Sequence, residues 1–102
     1  MVKVIIKGTV RNIGPVIEKD TYCYKRLSVT RSGYIQEINR RISPDQTYEI
    51  TVANGHMDLL HGINVGDQVE TISFLNSTER TDGNVVWHAL SLNLRRLTKL
   101  NQ

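Results

Sequence analysis

The fold is decided by residues 59–97, LLHGINVGDQVETISFLNSTERTDGNVVWHALSLNLRRL. Val65-Gly66-Asp67 reverses the chain, because glycine takes a positive φ without a Cβ clash and aspartate hydrogen-bonds backbone close to itself. Ile72 and Phe74 then alternate with Thr71, Ser73 and Leu75, the two-residue period of a pleated strand. Asn76 to Asn84 is wholly polar and contains Asp82-Gly83, a strong hairpin signal, so it reads as a polar loop. Beyond it His88, Leu90, Leu92 and Leu94 share one face, while Trp87, Ala89, Ser91 and Asn93 share the other. The stretch is an antiparallel hairpin preceded by a helical turn, and the rest of the chain has to supply strands for it to close against.

Upstream, Val2, Val4, Ile6, Gly8 and Val10 alternate with Lys3, Ile5, Lys7, Thr9 and Arg11. That is a strand with one apolar and one largely basic side, and Gly8 inside it predicts a bulge or sharp bend. A bent first strand suits a small barrel, since it can pair with two neighbours. A second strand is expected from about Tyr22 to Arg31, with Leu27 and Val29 inward and Tyr22, Tyr24, Arg26, Ser28 and Thr30 outward. Ile35, Ile38 and Ile42 have helical spacing, but the segment is short and stops at Ser43-Pro44-Asp45. It is read as a loop insertion carrying Arg40 and Arg41, with a helical turn or strand extension as alternatives. Thr47 to Ala53 forms a third strand with Tyr48, Ile50 and Val52 inward. Asn54-Gly55 turns the chain, His56 to His61 makes a short helix, and Gly62 ends it. From Arg95 to Gln102 the alternation is lost, and the end is expected to fray.

The chain of 102 residues is long enough for one domain with a modest core. A single cysteine excludes an internal disulfide framework, and Cys23 reads as a small strand residue. No apolar run approaches the roughly 18–20 residues of a membrane span. Met1-Val2-Lys3-Val4 leads straight into a strand instead of a secretion signal, so a cytoplasmic location away from membranes is expected. Charge is divided: residues 1–41 hold nine Lys/Arg against three Asp/Glu, residues 42–86 one against seven, and the end adds three more cations. Such asymmetry suits a basic face for a polyanion, although scattered solvated charge is the plainer explanation.

Three strands, a short helix and two further strands make an all-β chain with the order of the OB-fold, a five-stranded Greek-key barrel. An SH3-like barrel is the main competitor. Lys3 to Val10, Ile63 to Val69, and Asp82-Gly83 with the alternation to Leu94 resemble the OB-fold single-stranded-DNA-binding family, which includes bacterial single-stranded-DNA-binding proteins and primosomal replication protein N. The resemblance implies a non-enzymatic protein that binds single-stranded DNA, or RNA, with little sequence preference. Two departures stand out: the sequence closes on Arg95 to Gln102 without an acidic tail, and residues 32–46 lengthen the second connection.

Nucleic-acid binding needs cations along a groove with aromatic rings among them. Lys3, Lys7, Arg11, Tyr22, Tyr24 and Arg26 supply that mixture on two strands, and Tyr34, Arg40 and Arg41 extend it from the connection. The tyrosines also have an ordinary reason to sit in strands. Trp87 either stacks a base or packs at a subunit interface, the second being favoured in a homo-oligomer. Enzymatic signatures are lacking. His56 and His61 are spaced badly for one helical face, no phosphate-binding glycine motif appears, and no nucleophile elbow is present. No metal or cofactor is expected. The rival function is a protein-interaction or assembly module without nucleic-acid binding.

Overall fold

The computed structural model describes residues 2–32, 34–35, 40–41 and 43–100. Its strands are β1 (Val2–Ile13), β2 (Ile17–Glu18), β3 (Cys23–Arg31), β4 (Tyr34–Ile35), β5 (Arg40–Arg41), β6 (Gln46–Ala53), β7 (Gln68–Asp82) and β8 (Val85–Lys99). A 3₁₀ helix, Asn54–Leu60, joins β6 to the turn before β7. The expected turn at Asn54-Gly55 is therefore the first part of that helix.

β1 serves two neighbours. Val2 to Thr9 runs antiparallel to β7, and Thr9 to Ile13 runs antiparallel to β3. The register slips between Val10 and Asn12, so Arg11 is the extra residue of a bulge that turns the strand from one partner to the other. The bend expected at Gly8 thus falls three residues later. Gly8 provides clearance instead, because a Cβ there would lie 2.4 Å from the carbonyl oxygen of Thr30. Only a residue without a side chain lets β3 come that close. The turn before β7 locks the same place, since the Val10 amide donates to the Asp67 carbonyl at 2.9 Å and the Gly66 amide to the Val10 carbonyl at 2.8 Å.

β3 pairs along its length with β6, and β7 with β8. A short parallel contact, Ile50 with Leu92 and Thr51 with Asn93, joins β6 to β8. The order β1-β7-β8-β6-β3 then closes through β3 and β1 into a five-stranded ring, with β2 as a two-residue extension beside β3. Leu27, Val29, Ile50, Val52 and Val69 are fully buried inside it, with Ile6, Val10 and Leu94. Leu60 of the 3₁₀ helix plugs one end.

Three expectations are corrected. Tyr34–Ile35 pairs with Arg40–Arg41, so part of the second connection is a small two-stranded sheet and not a plain loop; Ile38, Ile42 and the Tyr34 side chain lie outside the described residues. The polar stretch after Phe74 is strand, not loop, because β7 continues to Asp82 and β8 starts at Val85. Only Gly83 and Asn84 turn, with Gly83 at φ 63°, as primed hairpin turns require. Its polarity marked a ribbon with solvent on both faces. The end does not fray as far as Lys99, which pairs with Val69. A bulge between Ile72 and Ser73 on the β7 side, where Arg95 is the extra residue of β8, is what breaks the alternation there.

Strand β7 turns Val69, Thr71 and Ser73 to the inside. Thr71 and Ser73 are buried, while Ile72 and Phe74 point outward, because Thr71 pairs with buried Ile6 and Ile72 with exposed Ile5. The Thr71 hydroxyl is satisfied by donating to the Ile6 carbonyl at 3.2 Å.

Gly8→Ala is expected to lower unfolding stability by about 3 kcal/mol, since its neighbour is backbone and cannot rotate away. Gly55→Ala, with nothing within 4 Å of the new methyl, is expected to be neutral or stabilising by up to about 1 kcal/mol. Urea titration of both variants checks the pair; equal midpoints would contradict the close approach of β3.

Candidate nucleic-acid interface

Tyr24 and Arg26 alternate with the inward side of β3 and therefore project from the barrel, and Tyr22 continues the same row one step before the strand. The rings of Tyr22 and Tyr24 stack, with centroids 6.0 Å apart and planes 23° from parallel. The Arg26 guanidinium lies over the other side of that row, 5.6 Å from the Tyr24 centroid. Two rings and one planar cation form a ladder along the outer face of β3. Tyr22 is 59% exposed, so its ring face is open to a further planar group.

Glu49, across from β3 on β6, accepts a hydrogen bond from Arg26 and forms an ion pair with it. The Arg26 pKa is raised above the ordinary arginine value, first by a hydrogen bond to the Tyr24 side chain and then by the hydrogen bond and charge of Glu49. The carboxylate thus fixes the guanidinium beside the ring instead of leaving it to swing freely.

The register extends this ladder across three strands. Arg26 pairs with Thr51, and Thr51 with Asn93, so β3, β6 and β8 present one outer row. Tyr22, Cys23, Tyr24, Arg26, Thr51, Ala53, Asn54, Ser91 and Asn93 line a groove of about 620 Å³. Its walls are rings, and its floor is made of short hydroxyl and amide side chains. Asn93 donates to the Ser91 hydroxyl at 3.4 Å. Thr51, Ser91, Asn93 and Asn54 do not stand out from composition, because small polar residues in strands have no signature of their own. The alternation that puts Ser91 and Asn93 on the Trp87 side of β8 is the signal that locates them.

The remaining predicted residues fall elsewhere. Arg11 sits on the bulge beside Ser28 and Val29, at the far end of the Tyr–Arg row. Lys3 and Lys7 are not beside the tyrosines. β1 touches β3 only from Thr9 onward, and Lys3 pairs with Phe74 and Lys7 with Glu70 on β7. Lys7 also makes a 3.5 Å ion pair with Glu70. Arg40 and Arg41 are exposed on β5, where Arg41 is bonded to Asp45 at 2.7 Å. Trp87 lies on the free ribbon of β7 and β8, 60% exposed and directly opposite Arg80. It occupies the same pleat face of β8 as Ser91 and Asn93. Among the described residues no group of three or more His, Cys, Asp or Glu side chains could hold a metal ion, and no helix is long and apolar enough to cross a membrane.

The ring order, the bulged first strand and the helix between the third and fourth barrel strands define an OB fold. No family model matches the chain, and no curated protein is similar to it in sequence. Solved structures are similar in fold. The mitochondrial single-stranded DNA binding protein Rim1 of S. cerevisiae superposes with a TM-score of 0.67 at 17% identity, over 97% of this chain and 94% of that one. The Plasmodium falciparum SSB in its complex with ssDNA gives 0.68 at 15% identity, over 99% and 96%. The dimeric N-terminal domain of PriB from Thermoanaerobacter tencongensis gives 0.60 at 19% identity, over 98% and 97%.

Trp87 is the only tryptophan, so its emission reports this ribbon alone. Emission like that of free indole in water, quenched fully by iodide, is the expected result. A blue-shifted emission that resists iodide would place Trp87 against another molecule.

Proposed function

We propose that this chain is a non-enzymatic OB-fold protein that binds single-stranded nucleic acid, DNA in the first instance, with little sequence preference. The observation that carries the reading is the Tyr22–Tyr24–Arg26 ladder bordering an open groove with a floor of small polar side chains. Every base has a face that stacks on a tyrosine, whatever its identity, and a stacked base is worth about 1–3 kcal/mol. Thr51, Ser91 and Asn93 can exchange hydrogen bonds with base edges or sugars, since each both donates and accepts. Phosphates meet Arg11 at one end of the row. The fold shared with single-stranded-DNA-binding proteins supports the same reading.

The binding face proposed runs across β3, β6 and β8, in place of the two strands, β1 and β3, expected from sequence. Tyr22, Tyr24, Arg26 and Arg11 stay in it. Trp87, with Arg80 opposite, offers a separate stacking point on the ribbon, about 20 Å along β8 from Asn93 at the rise of an antiparallel strand. Tyr34, Arg40 and Arg41 extend from the second connection. Assembly into a homo-oligomer belongs to the reading too. Among the described residues, Val2 to Gly8 pair on one side only, with β7, and such an edge accepts another strand. A cytoplasmic location is kept as part of the proposal.

The second reading, an assembly module without nucleic acid, is favoured by one observation. Val4, Tyr48, Leu75, Leu90 and Leu92 form an apolar groove of about 420 Å³ at the base of the ribbon, and Leu90 is 68% exposed. A labelled oligonucleotide followed by anisotropy over a salt series separates the two. Binding that weakens with salt, and by about five- to a hundredfold in Tyr24→Ala, is the expected result. Absence of binding at low salt supports the assembly module instead.

Glu49 gives a sharper expectation on the same assay. Glu49→Gln releases Arg26 from its carboxylate, so the salt slope should steepen by about 0.7, the increment for one added phosphate contact on a single strand. An unchanged slope would mean that Arg26 meets no phosphate even when free.

A further inference from the structure

The outer face of β1, β7 and β8 carries cations that the tyrosine face does not use. Lys3 and Lys7 come from β1, and Arg95 and Arg96 from β8; all four are exposed. In an unbroken strand two consecutive residues point to opposite faces. Here Arg95 is the extra residue of the β8 bulge, so both arginines stay outside: Arg96 pairs with outward Ile72, and Arg95 lies over the Phe74 ring at 4.8 Å. A bulge that re-aims one side chain is the device by which a strand displays two neighbours together.

The face is continuous with the candidate interface. One cross-strand row runs Arg26, Thr51, Asn93, Phe74, Lys3 through successive pairings, from β3 round to β1. Asn93 closes the groove floor on one side and adjoins Phe74 and Arg95 on the other. Beside this row lies Glu49, bonded to Arg26, and on the β1–β7–β8 face Glu70 is paired with Lys7. Lys3, Arg95 and Arg96 make no ion pair among the described residues, and Lys7 keeps a 68% exposed side chain.

Resting on the function proposed above, we infer that this face is a second contact surface for the same single strand. The chain that stacks its bases on Tyr22 and Tyr24 crosses β8 at Asn93 and lays its phosphates on Arg95, Arg96, Lys3 and Lys7, with Phe74 and its stacked arginine as a further base platform. A polyanion is the occupant that charge selects. A second copy seated face to face would set these four cations against their equivalents, a like-charge arrangement that opposes docking.

The test uses two thymidine oligonucleotides, one of about five nucleotides, near the lower end of the ~4–16 that one such barrel holds, and one of about twenty-five, well beyond it. The variant is Arg95→Gln with Arg96→Gln, checked for folding by urea titration. Expected for the long oligonucleotide is affinity weaker by on the order of tenfold at low salt, with a slope shallower by about 1.4, two phosphate contacts being lost. The short oligonucleotide should bind the variant as it binds the wild type, whereas Tyr24→Ala should weaken both. Wild-type affinity and slope of the variant for the long oligonucleotide would overturn the inference and leave the tyrosine face standing. So would a changed sedimentation coefficient of the variant without nucleic acid, since that assigns the face to a second copy. Failure of the wild type to bind either oligonucleotide removes the proposed function, and this path with it. Should the double variant misfold, Arg96→Gln alone is expected to flatten the slope by about 0.7, and an unchanged slope counts against the path equally.

Discussion

The whole structure depends on one strand having two partners. β1 can pair with β7 and then with β3 only if it turns sharply and if β3 comes very close to it. The bulge at Arg11 supplies the turn, and the missing side chain at Gly8 supplies the clearance beneath Thr30. Without either, the sheet would stay open, and the row from Arg26 to Lys3 would not run round a closed wall. The loop of Asn64 to Asp67 clamps the site: Asn64 donates its amide to the Asp67 carboxylate at 2.8 Å, and the turn's backbone bonds to Val10 on both sides. Lys99 reaches the same carboxylate at 3.4 Å, which ties the end of β8 to that point as well.

Closure sets what each face can do. Inward positions are filled by branched aliphatic side chains, whose volume suits a narrow ring. Outward positions are then free of packing duty and can carry chemistry. On β3 they carry rings and a guanidinium; on β6 and β8 they carry short polar groups that keep the groove shallow. On β7 the choice of face is unusual. Thr71 and Ser73 go inside with Val69, and Ile72 and Phe74 outside, because the register with β1 sets Thr71 against buried Ile6. Register is a property of a pair of strands, and the more strongly apolar strand decides it.

That point explains what could be read from residues alone. The five barrel strands, their order and the OB architecture were legible, because Val2 to Val10, Leu27 to Val29, Ile50 to Val52 and Leu90 to Leu94 keep a two-residue period. The side of β7 that faces inward was not legible, since Val69 and Leu75 mark one face and Ile72 and Phe74 the other. The ribbon beyond Asn76 resembles a loop in sequence, because alternation marks a strand only where one face is buried, and here neither is. The bulge at Arg95 erases alternation and makes paired strand resemble a frayed end. In the candidate site, the shared outward face of Tyr22, Tyr24 and Arg26 was legible from their parity on one strand. That Lys3 and Lys7 lie beside β7 and not beside the tyrosines was not legible, because strands consecutive in sequence need not be neighbours along their whole length. The alternation of β8 gives the face of Ser91 and Asn93, but their place beside Thr51 and the tyrosine row follows from the parallel contact between β6 and β8.

The most direct measurement of the central claim, that the outer wall of β3, β6 and β8 receives the strand, is an amide chemical-shift titration with a short thymidine oligonucleotide. The amides of Tyr22, Tyr24, Arg26, Thr51 and Asn93 are predicted to shift together along one saturating curve, while those of Met57, Leu59 and His61 at the helical end stay still. Shifts confined to the helical end or to the apolar groove around Tyr48 and Leu90, with the β3 row unmoved, would contradict it.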